Sequence, residues 1–156
     1  MSRCYLLAML ILLLIACSAP NARVATTLNL DAALQGDLPV NPLQWSVITS
    51  GVDPSSATMY MLFGNDTAVQ YARTNGERNY PAGSVLSLVT WQSQEDSRWF
   101  GARIPSRPKS VEIVTIQSSY SYKVYEGSPL KESKSLASMA DGRRAYILSQ
   151  RAAVMP

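Results

Sequence analysis

The chain has 156 residues, with 14 lysines and arginines against 11 aspartates and glutamates, and it contains no histidine. Hydrophobic residues make up 47% of the chain and charged residues 16%, which excludes an intrinsically disordered protein and fits one globular domain. The missing histidine excludes Ser–His and Cys–His catalysis, histidine-bound metals and haem attachment through C-x-x-C-H. The formal charge of +3 is too small to indicate nucleic acid as a partner.

The amino terminus has the layout of a secretory signal peptide that ends in a cysteine. A short start containing Arg3 precedes an unbroken apolar run from Leu6 to Ala16. This run is too short for a transmembrane helix, which needs about 20 residues. Its end, Leu14-Ile-Ala-Cys17, resembles a bacterial lipobox, in which the cysteine is acylated and the peptide bond before it is cut.

We therefore expect a signal peptide over 1–16, a lipid anchor at Cys17 with a tether over 17–30, and a single domain over 31–156. An ordinary signal peptide with an incidental cysteine is the alternative. Acylation would hold the protein on a membrane surface without spanning it. Ser18 follows the cysteine, and by resemblance to enterobacterial sorting this favours the periplasmic face of the outer membrane. Cys4 would leave with the signal peptide, so the mature domain would contain no disulfide and no free thiol.

After the tether, we expect a short helical turn at 31–34 and an irregular, proline-containing stretch at 37–42. Strands are expected where aromatic and β-branched residues concentrate. In chain order they are 45–49 (a strand or a helix end), 57–63, 84–92, 99–104, 111–116 and 120–125. Polar or proline-containing turns are expected between them, at 51–56, 80–83, 93–97, 105–108 and 117–119.

Two helices are expected besides the first turn. One covers 68–72 and is capped by Asn65 or Asp66. The other covers 141–151, with Ala145, Leu148 and Ala152 on one face and surface charge at its start. Because the elements do not alternate as βαβ units, the fold class is α+β, a mainly antiparallel sheet with two or three short helices packed on it. The apolar segment 84–92 is its expected central strand, with five mostly buried residues: Val85, Leu86, Leu88, Val89 and Trp91.

Acidic residues give weak signals for a site. Glu95 and Asp96 are adjacent in a polar turn and need not converge, because successive residues of an extended segment point to opposite faces. Glu112 lies on the strand face opposite to its two apolar neighbours, where it could pair with Arg103 or Lys109 if that face is covered; solvated charge is the alternative. The sequence contains no glycine-rich phosphate loop and no metal-ligand spacing.

Several ordered blocks resemble the cytochrome P460 family, in particular a P460-like subgroup of bacterial lipoproteins. The blocks are Met59–Arg73, the turn Tyr80-Pro-Ala-Gly83 that leads into the long apolar strand, Val89-Thr-Trp91, Trp99–Arg103 and Gln150–Pro156. The resemblance implies a small, mainly antiparallel β domain that is often dimeric. It also implies haem as cofactor, since haem-bearing members hold haem c through C-x-x-C-H and a lysine cross-link and act on hydroxylamine or nitrogen oxides.

This sequence departs from the family at the haem. It has no C-x-x-C-H, and no motif relates any of its lysines to the cross-link. The resemblance therefore supports the fold, and it carries the chemistry only by analogy. Non-covalent haem would need Met or Tyr as axial ligand.

The resemblance also suggests a ligand pocket beside the 80–83 turn and the tryptophan strands. Its expected residues are Tyr80, Gly83, Trp91, Trp99, Gly101 and Arg103. On a strand, Trp99 and Arg103 would share one face with open space over Gly101 between them, which would suit an anionic or aromatic ligand. The alternative is that the tryptophans fill the core, with a ring packed over Gly101.

Two functions are consistent with the sequence. The first is an envelope-anchored, non-catalytic P460-like lipoprotein that binds a small ligand or a protein, with a homodimer as one possible assembly. The second is a periplasmic haem redox enzyme acting on hydroxylamine or nitrogen oxides with non-covalent haem. The absence of histidine and of C-x-x-C-H favours the first.

Overall fold

The computed structural model describes residues 28–74, 79–135 and 137–153. The predicted signal peptide, Cys17 and most of the predicted tether lie outside these residues. So do the last three residues of the carboxy-terminal block.

Within the described residues, six strands form one antiparallel sheet in which every strand pairs with the next in sequence. The strands are β1 (Ser46–Asp53), β2 (Thr58–Gly64), β3 (Val85–Glu95), β4 (Arg103–Ile116), β5 (Tyr120–Glu126) and β6 (Lys131–Ser133). The described residues contain two α-helices, α1 (Asp66–Arg73) and α2 (Ala140–Ser149). They also contain three short 3₁₀ helices, at Leu30–Ala32, Pro42–Gln44 and Ala137–Met139. The predicted α+β fold is confirmed. Neither α-helix of the described chain is long and apolar enough to cross a membrane.

The start of α1 is fixed by the side chain of Asn65. Its Oδ1 accepts hydrogen bonds from the backbone N–H of Ala68 and of Val85, both at 3.1 Å, and its Nδ2 donates to the Gly83 carbonyl at 2.8 Å. The first of these bonds is an ordinary helix cap. The other two join the cap to the start of β3, so the helix is held against the sheet from its first turn.

Both faces of the sheet are covered. Because side chains alternate along a strand, β3 supplies apolar residues to each face. One face, here called the helix face, packs against α1 and α2 through buried residues that include Leu62, Leu88, Val114 and Ile147. The other, here called the arm face, contains Phe63, Val89, Trp91, Val111 and Ile113 and packs against the N-terminal arm, defined as residues 28–45.

Backbone contacts hold the N-terminal arm on the sheet. The Trp91 indole donates to the Ala32 carbonyl at 2.9 Å, which satisfies the polar atom of a buried ring. Gly36 forms a parallel bridge to Leu130 with a φ of +140°. A Cβ at Gly36 would lie 2.1 Å from the Leu130 carbonyl oxygen, so only glycine fits this contact.

The long hairpin between β3 and β4 differs from the sequence prediction. The expected turn at 93–97 is wrong because β3 continues to Glu95, and the expected strand at 99–104 is wrong because residues 98–101 are a turn and β4 begins at Arg103. The predicted stop at 105–108 lies inside β4. Pro105 and Pro108 are tolerated there because β5 pairs only with residues 110–116, which leaves the first half of β4 as an edge, and because the register shifts near Trp91.

The predicted burial of the central strand is confirmed, whereas the predicted face of α2 is observed only in part. On β3, Leu86, Leu88, Val89 and Trp91 are buried and Val85 is half-buried, as expected. Of the predicted face, Leu148 and Ala152 pack against the helix-face core, whereas Ala145 is exposed, and the fully buried residue of α2 is Ile147. The observed face follows the i, i+4 spacing of Arg143 and Ile147, which reflects where a polar partner lies on the sheet.

The burial of β3 predicts a large stability loss for Leu88→Ala. We expect the free energy of unfolding to fall by roughly 2–5 kcal/mol, as for other buried leucines, because the cavity cannot collapse between paired strands. Val52→Ala on β1, whose side chain is exposed, is the matched control and should change it by less than about 0.5 kcal/mol. Urea unfolding measures both, and equal small changes would contradict the assignment of β3 to the core.

Candidate functional site

The most buried charge among the described residues is Glu112 in β4. Its side chain is only 2% exposed. Its position lies opposite Leu88 of β3 and Val124 of β5, on the helix face and under α2. The sequence correctly placed Glu112 on the face opposite to its apolar neighbours. An isolated carboxylate at such a position would be very costly, so its partners decide what the site is.

Glu112 is paired with Arg143 of α2, so neither of the two possibilities that the sequence left open, a solvated charge or a pair with Arg103 or Lys109, is observed. Arg143 Nη2 donates to Glu112 Oε1 at 2.6 Å and Arg143 Nε donates to Oε2 at 2.9 Å, so the guanidinium binds both carboxylate oxygens. The Tyr122 hydroxyl of β5 donates to Oε2 at 2.6 Å. Charge-assisted bonds of this two-pronged kind are the strongest side-chain hydrogen bonds.

The environment keeps both donors protonated. Burial, together with the hydrogen bond to Glu112, raises the pKa of the Tyr122 phenol. The hydrogen bond to Glu112 also raises the pKa of Arg143. Both carboxylate oxygens of Glu112 therefore accept hydrogen bonds from protein donors, and this arrangement is typical of a structural ion pair.

Aromatic rings cover the outer side of the ion pair. The Tyr146 ring lies 5.0 Å from Arg143 Cζ, within the range of a cation–π contact. Tyr60 packs against the helix-face core and lies across Gly51, where an added Cβ would be 2.5 Å from the Tyr60 hydroxyl oxygen. Arg143 remains 34% exposed at its side chain, so water reaches the guanidinium but not the carboxylate.

Three residues of the predicted pocket belong to the body of the domain. Tyr80 is buried on the helix face, with its ring centroid 4.8 Å from that of Tyr71. Gly83, at φ +90°, donates its N–H to the Ile116 carbonyl at 2.7 Å. Trp91 is buried on the arm face. Tyr80 and Trp91 therefore lie on opposite sides of the sheet.

The other three lie at the hairpin between β3 and β4. Trp99 is 53% exposed, and Gly101 adopts φ +76° in the turn. Arg103 Nη2 donates to the Ser93 carbonyl and hydroxyl, at 3.2 and 2.9 Å. The predicted alignment of Trp99 and Arg103 on one strand face is wrong because residues 98–101 turn. The space over Gly101 is open, with no tryptophan ring over it.

The structure therefore divides the six predicted residues among three places. The turn at 80–83 precedes β3 and the hairpin tip follows it, and eleven extended residues separate the two by about 35 Å. Sequence reasoning missed Arg143 and Tyr122. The available signal was that Arg143 stands four residues before the apolar Ile147, which puts both on one helix face.

Two grooves run along the N-terminal arm. One, of about 500 Å³, lies between residues 28–31 of the arm, residues 96–98 and Ile104. The other, of about 260 Å³, lies between the arm, residues 106–108 and the loop before β6. Both are surface features, whereas Tyr80 and Trp91 are core residues.

The sequence model of the cytochrome P460 family matches residues 43–127, more than half of the chain. The chain belongs to the cytochrome P460 family. The matched part runs from the 3₁₀ helix before β1 to just past the end of β5, and it therefore includes Glu112 and Tyr122 but not Arg143. The resemblance to this family that was inferred from the sequence is confirmed, and the lipoprotein subgroup stays a prediction. No curated protein matches the chain.

The residues of this family member do not fit the haem that the family implies. The sequence has no C-x-x-C-H and no histidine. No group of three or more Cys, Asp or Glu side chains in the described part of the chain is arranged to hold a metal ion. Tyr122 is engaged by Glu112, while Met59 and Met61 pack against the arm-face core. The helix face is filled by α1, α2 and buried side chains of the strands.

The ion pair predicts a strong effect of Arg143→Met. Loss of the guanidinium leaves Glu112 buried without its counter-charge, so we expect the free energy of unfolding to fall by about 3–5 kcal/mol. Arg144→Met is the control, because Arg144 pairs at 3.0 Å with Asp141, whose side chain is 90% exposed, and such surface pairs contribute about 0–1 kcal/mol. The double variant Glu112→Leu/Arg143→Met should recover most of the loss. Chemical denaturation measures all four proteins, and equal effects of the two arginine variants would contradict the assignment.

Proposed function

We propose that this P460 family member is an envelope lipoprotein that acts by binding and not by catalysis. It is held at the periplasmic face of the outer membrane by acylated Cys17. The observation that carries the proposal is the closed Glu112–Arg143–Tyr122 cluster, in a chain that lacks the family's haem-attachment sequence. The buried charge of Glu112 binds Arg143 and so holds α2 on the sheet.

The anchor is supported by the order of the sequence features. A positively charged start, an apolar run and the Leu14-Ile-Ala-Cys17 block follow one another without interruption. The described domain contains no cysteine, so its stability depends on its two-sided core and the ion pair instead of disulfides.

Binding at the surface is supported by where the grooves and exposed apolar residues lie. Both grooves border the N-terminal arm, and the large exposed side chains of Trp99 and Phe100 stand beside one of them. The core residues Tyr80 and Trp91 are enclosed by protein. This arrangement favours an extended partner surface, with a second copy of the chain included, over a small molecule enclosed in the sheet.

The anchor predicts that Cys17→Ala changes the location of the protein. The variant lacks the thiol that accepts the lipid, so it should leave the membrane fraction or accumulate as an uncleaved precursor. Cys4→Ala is the control, because Cys4 lies in the predicted signal peptide, and it should fractionate like the wild type. Fractionation with metabolic labelling by a fatty acid checks this. Normal processing and outer-membrane fractionation of Cys17→Ala would show that the lipobox assignment is wrong.

The non-catalytic function predicts no stoichiometric haem. The full chain purified from its native envelope should show no Soret absorption band, and added haemin should produce none above that of a matched non-haem protein. The physical reason is that no residue pattern for covalent attachment exists and the helix face is already filled. A stoichiometric Soret band would favour the alternative, a redox enzyme with non-covalent haem that acts on hydroxylamine or nitrogen oxides.

A further inference from the structure

We propose that the tip of the hairpin between β3 and β4, defined as residues 96–102, together with Leu28 and Leu30 of the N-terminal arm, is a lipid-binding surface that rests on the bilayer. The proposal depends on the lipid anchor of the proposed function. It adds the orientation of the domain, which the anchor alone leaves open.

The tip presents apolar side chains to solvent. Phe100 is fully exposed and Trp99 is 53% exposed, and the two residues stand side by side at the end of the longest hairpin. Aromatic side chains, tryptophan in particular, are enriched at the level of lipid headgroups, where one part of the ring is apolar and the indole N–H stays hydrated. A contiguous exposed apolar patch of this kind indicates an interaction surface.

Hydrogen bonds hold the tip in one conformation. The Trp99 N–H donates to the Asp96 carbonyl at 3.3 Å, the Ala102 N–H donates to the Trp99 carbonyl at 3.1 Å, and the Asp96 N–H donates to the Ala102 carbonyl at 2.9 Å. Gly101 supplies the positive φ that the turn requires. The aromatic pair is therefore preorganised, which lowers the entropic cost of binding a surface.

Charges at the tip compensate one another. The Arg98 guanidinium donates to both carboxylate oxygens of Asp96, at 3.1 and 3.3 Å. Arg103 is held by Ser93 at the base of the turn. The positive charges of Arg98 and Arg103 therefore equal in number the negative charges of Glu95 and Asp96. A tip with balanced charge and exposed rings suits insertion among headgroups by apolar contact more than electrostatic adhesion.

The N-terminal arm brings the predicted anchor to the same end of the molecule. Asn29 Nδ2 donates to the Pro105 carbonyl at 2.6 Å, which fixes the arm beside the base of the hairpin. Leu28 and Leu30, 86% and 73% exposed, border the groove whose other wall is formed by residues 96–98. The described chain therefore emerges next to the tip.

The length of chain before Leu28 supports a bilayer as the occupant. Leu28 is eleven residues after Cys17. Eleven residues cannot span more than about 40 Å even when fully extended. The tip is thus kept within reach of the lipid surface, at a high effective concentration. The opposite end of the sheet, at the β4–β5 turn, lies about 40 Å further along β4.

Quenching of tryptophan fluorescence by brominated lipid tests the orientation. The full lipidated chain is reconstituted into phosphatidylethanolamine–phosphatidylglycerol vesicles, with or without bromine on the acyl chains, and recovered by flotation. Trp91 is buried, and Trp45 stands beside the Ser46–Gly64 pair at the other end of the sheet. Trp99 is therefore the reporter, and we expect brominated lipid to remove most of its emission.

The matched control moves the reporter to the other end of the sheet. In the double variant Trp99→Phe/Tyr120→Trp the new indole replaces an exposed ring at the start of β5, and its emission should be unchanged by bromine. Both Trp99 and Tyr120 are exposed, so neither substitution should unfold the domain, and circular dichroism checks this.

The outcomes separate the two proposals. Flotation with quenching of Trp99, but not of the relocated indole in the control variant, supports the lipid-binding surface. Flotation without quenching of Trp99 overturns it and leaves the anchor intact. If the chain does not float, the anchor fails, and the surface that rests on it fails as well. If Phe100→Ser converts a dimer of the Cys17→Ala chain into a monomer in sedimentation, the occupant of the tip is a second copy, and the lipid-binding surface is overturned.

Discussion

A buried carboxylate organises the helix side of this domain. Glu112 lies in the part of β4 that pairs with both β3 and β5, and its side chain is buried. An ion at such a position is tolerated only when counter-charge and hydrogen bonds replace the lost hydration. Arg143 and Tyr122 do this, and the arginine ties α2 to the sheet. The packing of Ile147 one turn later then completes the core on that side.

The arm side depends on a different kind of contact. There the buried polar atom is the indole nitrogen of Trp91, and the backbone of the N-terminal arm accepts its hydrogen bond. The bridge at Gly36 fixes the arm a second time, beside Leu130. The molecule is thus a single sheet sealed by helices on one face and by an irregular segment on the other. The arm also determines where the chain leaves the domain, so packing on the arm face bears directly on how the domain would stand on a membrane.

This chain has the cytochrome P460 fold but lacks the C-x-x-C-H sequence that holds haem in the family's haem-bearing members. The family match covers β1 to β5, while α2 and its arginine lie beyond it. The fold is a property of the strand pattern, whereas function belongs to particular side chains on it. In this chain we propose that the exposed aromatic hairpin tip carries the function, while the internal ion pair holds α2 on the sheet. Both are consistent with a scaffold that binds at its surface.

The amino-acid sequence by itself determined the α+β fold class, the central position of β3, a helix cap at Asn65 or Asp66 and the face occupied by Glu112. These follow from local patterns: alternation of side chains, capping oxygens and turn residues within a few positions. The sequence did not determine the length of β3 or the start of β4, because polar residues and prolines at an edge look like a turn. The partner of Glu112 lies 31 residues away, and only tertiary packing of α2 brings the two together. The grouping of Tyr80, Trp91 and Trp99 was decided in the same way, since opposite faces and opposite ends of one sheet are defined only when the strands have paired.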